Sequence, residues 1–193
     1  PKVRPGWSLV KVMGFGINHS EIFTRKGLSP SVKFPRIPGI ECVGVIEETT
    51  DPDRLPVARK IISIMGEMGR DFDGGYAEYV LLPNRQIYTV TTDLSWDILA
   101  SIPETFYTAF GSMKNLRIQA EDRVLVRGAT SGVGIAFLKL LKAKFSKLYI
   151  AGSTRSDAKT EKLQETGFDS VVIEKEGVLQ THENFDKVLE LIG

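Results

Sequence analysis

Residues 128–134 read Gly-Ala-Thr-Ser-Gly-Val-Gly and follow directly on the apolar run Val124-Leu125-Val126. Glycine at such a turn lets a pyrophosphate reach backbone amides and the positive end of a following helix, and lets that helix lie close on the strand. The turn is one residue longer between its first and last glycine than strict G-x-G-x-x-G, so it is a variant of that pattern. Ser131, Gly132, Val133 and Gly134 are the candidate cofactor-binding residues here; the competing reading is an ordinary Gly-rich turn between strand and helix. An NAD site places an acid about 20 residues further on for the ribose hydroxyls, whereas residues 152–156 read Gly-Ser-Thr-Arg-Ser. Ser153, Arg155 and nearby Lys159 are donors suited to a 2′-phosphate, which favours NADPH. The alternative is a solvated loop in which Ser156 caps a helix starting at Asp157.

Metal chemistry has few candidate ligands, because the chain holds one cysteine, Cys42, and two histidines, His19 and His182. One cysteine also excludes an intramolecular disulfide framework. The formal net charge of +1 supplies no global field for nucleic acid or anionic lipid, so neither is an expected partner. No apolar run approaches the roughly 18 residues of a membrane span, and the start, Pro-Lys-Val-Arg-Pro-Gly, lacks a signal peptide's apolar stretch. A cytoplasmic, reducing setting is the expectation.

The elements that must position these residues change character along the chain. In the first half, short β-like runs (8–13, 40–48, 60–64 and 76–82) alternate with Gly and Pro punctuation, the pattern of a small barrel or sandwich. A short helix over 18–26 and a Pro-rich link over 34–39 lie between the first two. From Ser95 onward, helix-length amphipathic segments alternate with short apolar strands, which predicts βαβ units and a parallel sheet. Helices are predicted over 104–115, 132–144 and 157–166, with Ile135, Leu138 and Leu141 on one face of the second. Strands are predicted at 123–126, 148–151, 171–173 and 187–191. This sets two domains, 1–94 and 95–193. The chain opens without Met and closes on a strand-like Glu190-Leu191-Ile192-Gly193, half a doubly wound sheet, so a fragment of a longer protein is expected.

Taken in order, Gly16-Ile17-Asn18-His19-Ser20-Glu21, Pro35-Arg36-Ile37-Pro38-Gly39-Ile40-Glu41, Gly74-Gly75-Tyr76-Ala77-Glu78-Tyr79-Val80, Tyr107-Thr108-Ala109 and the turn after Val126 resemble the medium-chain dehydrogenase/reductase superfamily. The likeness is to its zinc-independent quinone oxidoreductase branch and covers essentially the whole chain. It implies a GroES-like β-barrel catalytic domain, its N-terminal strand missing, followed by a partial Rossmann domain with a doubly wound parallel sheet. It also implies that full-length relatives pair as homodimers through the Rossmann sheet edge. Zinc-dependent members carry Cys and His where this chain has Asn18 and Ile40, and no Cys-rich lobe is present. No metal, and in particular no zinc, is therefore expected. A short-chain dehydrogenase is rejected because none of Tyr76, Tyr79, Tyr88, Tyr107 and Tyr149 has Lys four residues later.

Without a Lewis acid, negative charge developing on the substrate must be met by hydrogen-bond donors or spread by conjugation, so quinones and α,β-unsaturated carbonyls are the expected small-molecule substrates. The resemblance assigns the catalytic position to Asn18, whose amide can donate to the substrate oxygen or to the cofactor's ribose; a helix-cap role is compatible with this. By the same resemblance Thr108 contacts the nicotinamide side. Tyr79 and Tyr107 are expected to pack in the core, and His19 and His182 to lie at the surface. The alternatives are a zinc-type relative acting on alcohols or aldehydes, and a non-catalytic NADPH-binding or structural module.

Overall fold

The computed structural model describes residues 1–192, and the chain divides into two compact units, 1–104 and 105–193. In the first unit β1 (Trp7–Gly14) leads to α1 (His19–Arg25), followed by β2 (Glu41–Glu48), β3 (Lys60–Ile64), β4 (Tyr79–Pro83), β5 (Tyr88–Thr89) and α2 (Trp96–Ala100). The strands form one antiparallel sheet in the order β4-β1-β2-β3-β5. Side chains alternate across it with the strand period of two. Val10, Cys42, Ile46, Ile61, Val80 and Leu82 fill one core. Val43, on the opposite face of β2, packs with Leu99 and Ala100 of α2.

That second cluster explains why residues 95–104 belong to the first unit and not, as the change of pattern at Ser95 predicts, to the second. α2 packs Leu99 and Ala100 against Val43 of the first unit's sheet. β5 and α2 are too short to leave a periodic trace, and neither was anticipated as an element.

The helix α3 (Pro103–Leu116) runs into the second unit, which continues through β6 (Arg123–Arg127), α4 (Gly132–Lys144), β7 (Tyr149–Thr154), α5 (Thr160–Thr166), β8 (Ser170–Lys175), β9 (Val178–Leu179) and β10 (Lys187–Glu190). The sheet order is β10-β6-β7-β8-β9; all pairings are parallel except the antiparallel edge strand β9. The second unit's sheet is therefore mixed rather than wholly parallel. α4 spans the predicted residues but buries Ala136, Phe137, Leu138 and Leu141, leaving Ile135 off the core face. Residues 157–159 form a 3-10 turn ahead of α5, which ends at Gly167 with φ +120°. Gly193 lies outside the described residues. Among the described residues no helix is long and apolar enough to cross a membrane.

Candidate functional site

The groove in the second unit forms where chain connectivity changes direction. From β6 the chain proceeds to β7 and β8 on one side, while β10 pairs on the other, and ligands of open α/β sheets bind beyond the carboxyl ends of strands at such a point. The groove found there is lined by Gly128 and Ser131 after β6, Thr154, Arg155 and Ser156 at the end of β7, and Ile192 beyond β10.

Each glycine of the turn has a distinct reason. Gly128 takes φ +78°, a left-handed conformation that suits glycine. A Cβ on Gly134 would stand 2.9 Å from the Gly128 carbonyl oxygen and 3.1 Å from the Ala129 Cα, so this residue sets how closely α4 approaches β6. A Cβ on Gly132 would meet nothing nearer than the Thr105 Cγ2 at 3.6 Å, so the fold itself leaves that space open. Ser131 is the N-cap of α4, its Oγ accepting the Gly134 N–H at 3.1 Å.

The other expected groove residues divide. Ser153 is fully buried and its Oγ accepts the Gly128 N–H at 3.4 Å, so it also props the turn from below. Arg155 and Lys159 are exposed, line the groove and form no ion pair among the described residues. Arg127, the remaining cation at these strand ends, is taken by Glu174 at 2.5 Å and Glu190 at 2.6 Å. Its guanidinium, by hydrogen bonding, and more weakly Arg155 hold the Glu174 carboxyl below the ordinary range. Ser156 stands at the N-cap position of the 3-10 turn without a side-chain cap; its backbone N–H goes to the Thr154 Oγ1 at 3.2 Å, and the residue lines the groove. Val133 packs against the core, and Thr108 is not among the groove's lining residues. The α3 side chain that meets the turn is Thr105, one helical turn earlier, which sequence reasoning passed over.

The first unit holds its own pocket, lined by Asn18, Glu21, Arg25, Pro38 and Tyr76 with Ile17 and Ile22. It is assembled by backbone contacts between two motif segments: the N–H groups of Gly74, Gly75 and Tyr76 donate to the carbonyls of Ile37, Gly39 and Pro38 at 2.8, 3.1 and 3.0 Å. A Cβ on Gly74 would lie 2.2 Å from the Gly39 carbonyl oxygen, which is why glycine is required at this crossing. The arrangement delivers the Tyr76 hydroxyl to the Glu21 Oε2 at 2.5 Å and stacks its ring on Phe15, with centroids 4.5 Å apart.

Two buried carboxylates organise the pocket. Glu21 is 6% exposed and accepts the N–H groups of Asn18 and Ile40 at 2.8 and 2.9 Å besides the Tyr76 hydroxyl. Burial raises the Tyr76 phenol well above its usual value, and its bond to Glu21 adds to this. Glu41 is 2% exposed; its Oε1 accepts the Asn18 Nδ2–H at 2.7 Å and its Oε2 the Glu104 N–H at 2.9 Å. Burial raises the Glu41 carboxyl above its ordinary value, opposed by those two hydrogen bonds. Asn18 is thus the N-cap of α1, as the helix-cap reading has it, with one of its two amide hydrogens already given to Glu41.

Tyr79 and Tyr107 are exposed at 38% and 65%, which corrects the expectation that they pack in the core. His19 is exposed and meets Phe23 edge-on, and His182 is exposed in a loop. Among the described residues no three His, Cys, Asp or Glu side chains gather as metal ligands, and Cys42 is fully buried with its thiol pushed up to about 12 by desolvation.

Residues 4–92 match the alcohol dehydrogenase GroES-like domain. The quinone oxidoreductase of Lama guanicoe is 26% identical over 187 residues, 96% of this chain and 53% of the relative. That of Homo sapiens is 29% identical over 160 residues, 78% of this chain and 45% of the relative. The solved structure of the quinone oxidoreductase from Coxiella burnetii superposes with a TM-score of 0.89 at 24% identity, over 100% of this chain and 62% of that one. The chain is thus similar to quinone oxidoreductases of the medium-chain dehydrogenase/reductase superfamily over most of its length. Its first unit has the GroES-like fold and its second a partial Rossmann fold. It spans about half the length of the curated relatives it matches.

Proposed function

We propose that the protein is an NADPH-dependent oxidoreductase that reduces a quinone or an α,β-unsaturated carbonyl without zinc. The observation that carries this reading is the groove at the carboxyl ends of β6 and β7, lined by Gly128 and Ser131 of the glycine turn and by Arg155 and Lys159, which form no ion pair among the described residues. A bound NADPH supplies the hydride. The chain's part is to seat the pyrophosphate over Gly132 at the head of α4, where amides and the helix dipole favour an anion, and to hold the 2′-phosphate with Arg155 and Lys159. Thr108 keeps its nicotinamide-side assignment through the family position alone. Asn18 donates its second amide hydrogen toward the substrate oxygen, and the conjugated acceptor spreads the remaining charge. The residues of the first unit do not suit zinc, since Asn18 and Ile40 stand where zinc-dependent relatives carry Cys and His.

Calorimetry on the complete protein with NADPH and NADH tests the assignment. Arg155→Ala should lower the NADPH-to-NADH affinity ratio by about 10-fold or more, the worth of a charge-assisted bond. An unchanged ratio overturns the 2′-phosphate role. NADPH uptake without oxidation across a panel of quinones and enones overturns the catalytic reading in favour of a binding module.

A further inference from the structure

Asn18, Glu21, Ile22 and Arg25 stand at i, i+3, i+4 and i+7 along α1, one stripe of the helix, and all four line the pocket of the first unit. The pocket therefore follows this stripe, with Asn18 at one end and Arg25 at the other, about 10 Å of helix axis apart. Between those ends the wall is apolar: Ile17 is 82% exposed and Ile22 36%, with Pro38 beside them. The cavity measures about 420 Å³, within the range of small-molecule sites. Arg25 is the only cation among its lining residues.

Arg25 takes neither of the roles that an arginine in the last turn of a helix ordinarily fills. Glu21, four residues before it, is the favoured helical ion-pair partner, yet the Glu21 oxygens are spent on the N–H groups of Asn18 and Ile40 and on the Tyr76 hydroxyl. The carbonyls of Ile22, Phe23 and Thr24, which an arginine could cap, already accept the backbone N–H groups of Lys26, Leu28 and Gly27. Arg25 is exposed and forms no ion pair among the described residues. We infer that Arg25 binds a carboxylate of the substrate, so that the acceptor is an α,β-unsaturated carbonyl with an acidic group at the far end of an apolar body. The guanidinium meets the carboxylate as a two-pronged donor, the apolar body covers Ile17 and Ile22, and the carbonyl oxygen faces Asn18. The place of the carbonyl rests on the proposed role of Asn18, whereas the carboxylate contact rests on Arg25 and the pocket alone.

The probes are 4-phenylbut-3-en-2-one carrying a para carboxylate and the same enone carrying a para methyl ester, which differ in charge at the end remote from the carbonyl. Calorimetry on the complete protein, with and without NADP+, reads binding without turnover because no hydride is present. The wild type should bind the acid about fivefold more tightly than the ester, the upper end for a partly exposed ion pair, and by less as salt is raised. Arg25→Gln should abolish that preference and Arg25→Lys should keep part of it. In turnover with NADPH the wild-type preference should appear in kcat/KM, through KM. An acid-to-ester affinity ratio that is the same in the wild type and in Arg25→Gln overturns the inference. So does a loss of NADP+ affinity in Arg25→Gln, which makes the cofactor the anion that Arg25 meets. Binding of the acid through Arg25 with no turnover of either enone upholds the inference and overturns the proposed reaction.

Discussion

At the scale of single residues, the carboxylates of the first unit carry a signature in stability as well as in chemistry. Glu41 is raised above its ordinary value of 4.5 by burial, so its proton is bound more tightly by the folded than by the unfolded chain. The sign follows: stability is greatest below the ordinary carboxylate value and is lost as the pH rises through the folded value, where the charge must stay buried. Glu41→Gln removes that cost. Urea midpoints should coincide for wild type and variant below the ordinary carboxylate range, and at neutral pH the variant should be more stable by about 1 kcal/mol. A difference that is constant with pH contradicts the assignment. Sequence reading reached Asn18 as a site residue through the motif around it, but not its partner: residues 18 and 41 are 23 positions apart, and nothing in either segment alone says that they share a hydrogen bond. Glu21 and Tyr76, 55 positions apart, were invisible as a pair for the same reason.

At the scale of elements, the turn between β6 and α4 separates what the fold needs from what a ligand needs. Gly134 faces backbone at 2.9 Å, whereas Gly132 faces only the Thr105 Cγ2 at 3.6 Å. Gly134→Ala should force α4 away from β6 and lower both thermal stability and NADPH affinity, the stability loss being about 1–3 kcal/mol. Gly132→Ala should leave the melting temperature unchanged or slightly higher, since Ala is the better helix former, and still weaken NADPH binding about tenfold or more. Equal NADPH affinity in the Gly132→Ala protein, read by calorimetry, excludes this turn as the phosphate cradle. The turn was legible because strand, glycines and helix follow one another within 22 residues, from Arg123 to Lys144, and α4 falls on its predicted span. β5 and β9, two residues each, were not, since no period can be read from two side chains. The antiparallel turn-back of β9 depends on Glu176 and Gly177, both at positive φ, of which only the glycine is a conventional signal.

At the scale of the whole molecule, the supply of metal ligands tests the zinc-independent reading. The chain offers two histidines and one cysteine, and these do not converge with acids into a ligand set among the described residues. A thiol binds zinc as the thiolate. Cys42 is fully buried with its thiol pushed up to about 12, so at neutral pH it stays protonated inside the core of the first sheet. Asn18 is taken up by Glu41, and Ile40 offers the pocket only its backbone, whose N–H already goes to Glu21. Glu21 has both oxygens occupied by donors that a cation would have to displace. The complete protein, purified without added zinc and dialysed, should therefore contain well under one zinc per chain by elemental analysis. A chelator should leave NADPH-dependent turnover unchanged. One tightly held zinc per chain, lost together with activity on chelation, would instead favour the alcohol dehydrogenase type of chemistry and require ligands drawn from outside the pocket described above.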